Sequence, residues 1–323
     1  IRGMKKNRIT FLFAEICLGL LVVFFVRNIF SDNKPQKRVA VNVENSGDEK
    51  WDSFINGLKQ AADMKNIHLI ICNTDEIENA EEEKNLIYEQ LDNQVDAFIV
   101  QAAPGDDVSD MLYEIQKQKP VLLVANGVTE KPDEDIAQIL PDDYAMGYEL
   151  GESFLKNHAD EASKVSVGII NGTKEMDCTK KRREGLLDAL SDSDCKIAFD
   201  IYKTYNEDVT TMVEHQVSVD YLFVLETEAL EQVGTSYKEN PDIQTGLYGI
   251  GNSIKCVYYL EDQIVERLVM VDAYNMGYNS VMEISQTLKH RFYTMKNGTV
   301  EHKLIQKDDI FKEETQQFLS TYE

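Results

Sequence analysis

The sequence predicts an α/β protein of two doubly wound parallel-sheet lobes, preceded by one N-terminal transmembrane helix. Three observations predict it. An apolar run, Ile9–Val26, stands near the start of the chain behind Lys5, Lys6 and Arg8. From Arg38 onward, short runs rich in Val and Ile alternate with longer stretches of helical periodicity, the pattern of right-handed βαβ units. About nine such strand runs spread over the 285 residues that follow, more than one ordinary domain holds, so two similar lobes are the economical reading.

The apolar run reads ITFLFAEICLGLLVVFFV, with Glu15 as its one charge. Its 18 residues extend about 27 Å as a helix, just enough to cross a hydrocarbon core. A cleaved secretory signal shares the basic flank, but its apolar part is usually shorter and ends at a small-x-small site that is missing here. A lipoprotein signal needs small residues before its cysteine, and Cys17 follows Glu15 and Ile16. The expectation is therefore a cytoplasmic stub at 1–8, an uncleaved anchor at 9–26, a linker at 27–37, and the remainder outside the cell membrane. Arg27, Lys34, Lys37 and Arg38 follow the run, so orientation rests on the lack of other spans more than on charge bias.

Charge separates the two parts of the chain. Residues 1–38 hold eight Lys/Arg against two Asp/Glu, leaving 25 against 55 for the remainder, which carries −30 of the total −24. A surface this acidic repels nucleic acid and anionic lipid headgroups, so a nucleic-acid partner is not expected. The five cysteines show no metal-binding spacing, and the five histidines are scattered singly. Cys72 reads as a small buried hydrophobe. A Cys178–Cys195 disulfide is compatible with an oxidising compartment, although large cores seldom need one.

The strand runs, in order, are RVAVNVE, HLIICNT, DAFIVQA, PVLLVAN, IAQILP, KVSVGIING, KIAFDIY, DYLFVLE and TGLYGIG. Runs of this kind without clean alternation suit parallel strands covered on both faces. Helical stretches are expected at Trp51–Lys65, Ala80–Gln94, Asp107–Gln118, Tyr144–Asn157, Thr179–Leu190 and Thr227–Glu239. In the first of these, Phe54, Ile55, Leu58, Ala61 and Ala62 form one apolar stripe. The turn after the first strand, Val43-Glu44-Asn45-Ser46-Gly47, has neither glycine-rich phosphate pattern, so no nucleotide cofactor is expected.

Seven segments in this order carry a resemblance: VAVNVENSGDEKWDSFINGLKQAA, NLIYEQLDNQVDAFIVQAA, KPVLLVANG, IAQILPDDYAMGYELGESFLKN, NGTKEMDCTKKRREGLLDAL, TGLYGIGNS and VDAYNMGYNSV. Together they resemble the type I periplasmic binding proteins, the family of ribose- and galactose-binding proteins whose fold recurs in lactose-repressor-type regulators. The resemblance covers about residues 38–310. It implies three crossings between lobes: one lobe at 38–141 plus 272–296, the other at 142–271 plus 297–323, with hinges near Asp142, Asp272 and Asn297. Sugar is expected in the cleft at the carboxyl ends of the strands.

Sugar sites need aromatic faces for the ring and polar forks for its hydroxyls. The single tryptophan, Trp51, matches a stacking position, and its neighbour Lys50 replaces another usual aromatic. Arg182, three before Gly185, matches the arginine that donates to sugar hydroxyls, and Lys180 is a second candidate for that role. Polar residues at strand ends complete the set. Asn126, Glu226 and Asn252 match contact positions, Asp142 lies at the first crossover, and Gln101 closes the run DAFIVQ. Where the family usually has a glutamine before the returning helix, this chain has Val271 with Asp272 next, and Ala125 replaces the aspartate that usually precedes Asn126. Such swaps change which sugar fits.

The implied function is a membrane-anchored extracytoplasmic solute-binding protein delivering a small-molecule sugar, a monosaccharide, to an ABC transporter permease. The alternative is a sugar-sensing partner of a membrane histidine kinase. A transcription regulator would need a basic helix-turn-helix ahead of the fold, where this sequence has an apolar segment. No nucleophile elbow or metalloprotease motif appears, so an enzyme is not expected.

Overall fold

The computed structural model describes residues 15–23, 25, 36–129, 135–159, 165–191, 193–204 and 207–322. The chain forms two compact units, Ile1–Lys37 and Arg38–Glu323. In the first, residues 15–23 are helical and exposed. The stub at 1–8, most of the linker and part of the apolar run lie outside the described residues. Among the described residues, no helix is long and apolar enough to cross a membrane.

The second unit holds two six-stranded sheets. The first comprises β1 (Lys37–Asn42), β2 (Ile67–Ile71), β3 (Ala97–Val100), β4 (Val121–Val124), β5 (Ala137–Pro141) and β11 (Gly298–Val300). The second comprises β6 (Ser166–Asn171), β7 (Lys196–Tyr202), β8 (Tyr221–Val224), β9 (Gly246–Ile250), β10 (Arg267–Val271) and β12 (His302–Ile305). Their orders are β11-β5-β4-β3-β1-β2 and β12-β10-β9-β8-β6-β7. Without the outermost strand, each lobe has the same winding, 2-1-3-4-5, so the two are internal repeats of one topology. The β1–β3, β3–β4, β4–β5 and β5–β11 pairs are parallel, and so are the pairs from β7 through β10, whereas β12 runs antiparallel to β10.

Helices α1 (Asp52–Lys65), α2 (Ala80–Asp92) and α3 (Val108–Gln116) follow the early strands. The remainder are α4 (Asp143–Asn157), α5 (Asp177–Ser191), α6 (Val209–Glu214), α7 (Thr227–Glu239), α8 (Ile254–Glu261), α9 (Ala273–Lys289) and α10 (Glu313–Leu319). The apolar stripe of α1 is buried at Phe54, Leu58, Ala61 and Ala62, and the helix ends where Asn66 turns left-handed at φ 55°. Asn79 starts α2 by accepting the amides of Glu81 and Glu82 at 3.1 Å each.

Helix packing shows where the chain crosses. After β5, α4 packs on α5 of the second lobe; after β10, α9 returns to pack on α1 of the first. Both contacts depend on paired glycines that let backbones touch. A Cβ on Gly147 would meet the Arg182 carbonyl and one on Gly185 the Tyr144 carbonyl; Gly57 and Gly277 stand in the same relation to Tyr274 and Phe54. The segments D-D-Y-A-M-G-Y (142–148) and D-A-Y-N-M-G-Y (272–278) thus open the two exchanged helices as a repeat. The third crossing corrects the boundary expected at Asn297. Because Gly298–Val300 pairs with β5, the chain leaves the first sheet only at Glu301. Three strands (β10, β11 and β12) and the helices α6, α8, α9 and α10 also lie outside the expected set. All five cysteines are free, so Cys178 and Cys195 form no disulfide.

Candidate functional site

The carboxyl ends of the strands in both lobes converge on a cavity of about 80 Å³. Six of the expected residues line it: Lys50, Trp51 and Gln101 from the first lobe, and Arg182, Glu226 and Asn252 from the second.

Trp51 ends a short 3-10 turn, Glu49–Trp51, that leads from the β1 loop into α1. Its ring meets Phe54 edge-on with centroids 5.5 Å apart, and its Nε1–H donates to the Glu44 carbonyl at 2.9 Å. The indole is therefore fixed, with only 5 % of the residue exposed. Lys50 Nζ lies 5.8 Å from the ring centroid and 3.4 Å from the Glu44 carboxylate. Gln101 holds Glu44 in turn: its Nε2–H donates to Oε1 at 3.3 Å, and its own Oε1 accepts the Glu44 amide at 3.0 Å.

Across the cleft, Arg182 Nε–H donates to Asp143 at 2.7 Å and Nη1–H to the Leu225 carbonyl at 3.2 Å, using two of its five N–H groups. Burial opposes the guanidinium charge, but Asp143 and further neighbours outweigh it and hold Arg182 protonated. Glu226 caps α7 by accepting the amides of Glu228 at 3.0 Å and Ala229 at 2.9 Å. Burial raises its pKa; Lys50, Lys203 and the two amides outweigh that effect and hold it below the ordinary carboxylate value. Asn252 accepts the Val271 amide at 2.8 Å, tying the end of β9 to that of β10.

The other four candidates stand elsewhere. Asp142 and Asp272 are the N-caps of α4 and α9, accepting the amides of Ala145 at 2.9 Å and Asn275 at 3.0 Å, so both are helix starts and neither lines the cavity. Lys180 points to a separate hollow beside Gly127. Asn126 is buried at the lobe interface, donating to the Ala102 carbonyl at 2.7 Å and accepting the Cys178 amide at 3.1 Å.

Two charged lining residues were not anticipated, Glu44 and Lys203. Lys203 directly follows β7 and Glu44 stands two residues past β1, at the strand ends that a doubly wound sheet directs into its cleft. Lys203 pairs with Glu228 of its own lobe and with Glu76 of the other at 3.5 Å. Burial lowers its pKa, but Glu226, Glu228 and Glu76 outweigh this and raise it well above the ordinary lysine value.

The family model for the periplasmic binding protein domain matches residues 39–291. Curated proteins give no match. Solved structures match over nearly their whole length. A carbohydrate transporter solute-binding protein from Agrobacterium radiobacter, in complex with D-arabinose, has a TM-score of 0.78 at 15% identity, covering 88% of this chain and 99% of that one. GanP, a glucose-galactose binding protein from Geobacillus stearothermophilus, reaches 0.72 at 20% identity, covering 86% and 100%. The XylFII–LytSN complex reaches 0.73 at 15% identity, covering 85% and 100%. At these identities the likeness is one of fold, and the family match is what classifies the chain. The protein belongs to the periplasmic binding protein domain family, in keeping with the segment order of its sequence.

Proposed function

We propose that the protein is an extracytoplasmic binding protein for a small neutral sugar, held at the cell membrane by its N-terminal apolar segment and serving an ABC permease. One observation carries this reading: a fixed aromatic, Trp51, and a partly committed guanidinium, Arg182, line one cleft from opposite lobes. The indole supplies an apolar face, and the N–H groups that Arg182 does not use within the protein can meet hydroxyls. The charged residues of the cleft pair with one another, Lys50 with Glu44 and Lys203 with Glu76 and Glu228, which favours a neutral ligand over an ionic one.

Calorimetric titration with neutral pentoses and hexoses, and with their uronate and amino counterparts, tests the ligand class. Heat from a neutral sugar alone is expected; heat from a charged member alone would overturn neutrality. Cell fractionation with sequencing of the mature N-terminus tests the anchor. Release into the medium with a terminus beyond Phe30 would refute it.

A second reading, a sugar-sensing partner of a membrane histidine kinase, is favoured by the structural likeness to the XylFII–LytSN complex. Co-purification from cells after crosslinking separates the two readings, since a permease is expected under the first and a kinase under the second.

A further inference from the structure

We propose that Lys203 and Glu76 form a latch between the lobes that biases the cleft toward its closed arrangement before any sugar enters, so that ligand access requires this pair to part. Lys203 follows the edge strand β7 of the second sheet, and Glu76 lies in the loop after β2, the corresponding edge strand of the first. Their charged atoms stand 3.5 Å apart, with side chains only 12% and 27% exposed. Glu228 holds the ammonium from within the second lobe, so the lysine is already positioned when Glu76 approaches. Partial burial protects the pair from the screening that makes fully exposed ion pairs negligible.

The cavity lies behind the latch, and Lys203 is one of its lining residues. It is lined from both lobes, and Trp51 on its wall is only 5% exposed. Lys50 pairs with Glu44 on one wall, and Asp143 and the Leu225 carbonyl hold Arg182 on the other. A sugar reaching these walls passes between the lobes, so the equilibrium set by the latch scales its apparent affinity.

One amide reports the opening without any ligand. Cys178 is the second residue of α5, where a helix offers its own N–H groups no acceptor. Its amide instead donates to Asn126 Oδ1 of the opposite lobe at 3.1 Å. When the lobes part, this bond breaks and the amide can exchange with solvent.

The inference rests on reading the cleft as a ligand site, but its test uses no sugar, so failure of the latch and failure of the sugar reading are separate outcomes. Residue-resolved hydrogen exchange is measured on the full chain in detergent micelles, for wild type, Glu76→Gln, Lys203→Met and Lys203→Arg. Each is measured at about 0.01 M and about 1 M salt, between which the Debye length falls from ~30 Å to ~3 Å. At low salt, Glu76→Gln and Lys203→Met should each speed exchange at Cys178 roughly fivefold, while Lys203→Arg stays near wild type. High salt should narrow the gap between wild type and Glu76→Gln only in part, because the pair is mostly shielded from solvent, and amides in β3 and β8 should not change. Equal Cys178 rates in wild type and Glu76→Gln at both salts would overturn the latch. Acceleration in Lys203→Met without acceleration in Glu76→Gln would also overturn it, by confining the lysine's role to its own lobe.

Discussion

Replacing Glu83 with glutamine should change how the stability of the first lobe depends on pH, without touching the cleft. Glu83 lies on the buried side of α2, fully removed from solvent. Its Oε2 accepts the Ala103 amide at 3.1 Å, while Oε1 has no partner among the described residues. Burial pushes its carboxyl up from 4.5 to about 8, with the Ala103 amide opposing only in part. The folded chain therefore keeps this proton where the unfolded chain has lost it. The stability it confers is complete below about pH 4.5 and is lost progressively up to about pH 8. That interval of about 3.5 pH units, at ~1.36 kcal/mol for each, amounts to about 5 kcal/mol.

Glutamine retains an acceptor for the Ala103 amide but cannot ionise. Its own NH₂ costs roughly 1–3 kcal/mol if left unpaired, independent of pH. Urea unfolding of wild type and Glu83→Gln at intervals from pH 4.5 to 8 should show their difference moving toward the variant by about 5 kcal/mol. Stability curves that stay parallel across this range would refute the burial argument.

Other substitutions test the cleft and its supports. Trp51→Ala should weaken sugar binding by about 2–3 kcal/mol in calorimetry, the scale of a buried aromatic contact. Arg182→Ala should reduce binding and, because Asp143 is only 4% exposed and would lose its cation, destabilise the second lobe by roughly 3–5 kcal/mol in urea. Arg182→Lys should restore much of that stability but not the fork. Gly147→Ala should cost about 1–3 kcal/mol or more by driving a methyl into the Arg182 carbonyl, whereas Gly47→Ala, which meets nothing within 4 Å, should leave the thermal midpoint nearly unchanged.

Much of the architecture could be read from the chain because parallel strands buried on both faces leave continuous Val- and Ile-rich runs. The segment Arg267–Val271, outside the expected set, carries the same signal, so its absence there does not reflect a weak pattern. By contrast, β11 and β12 are edge strands of three and four residues that are partly exposed, and pairing alone defines them. Trp51 and Arg182 could be placed because few residue types suit their role. Asp142 and Asp272 could not, because an acid between a strand and a helix has the same local pattern whether it caps the helix or faces a ligand. Lys203 and Glu44 became visible only once strand ends and lobe spacing were fixed in three dimensions. Each sits one or two residues past a strand, where an error in the boundary would turn it out of the cleft.

Fluorescence of Trp51 during titration with neutral monosaccharides tests the central claim most directly, since this is the only indole in the chain and it lines the cleft. The account predicts a saturable quench or spectral shift for at least one such sugar, matched by calorimetric heat and absent for the same sugar in Trp51→Phe. A spectrum unmoved by every member of the panel, with no heat in calorimetry, would contradict the sugar reading and leave the cleft as a closed, ligand-independent element of a docking module.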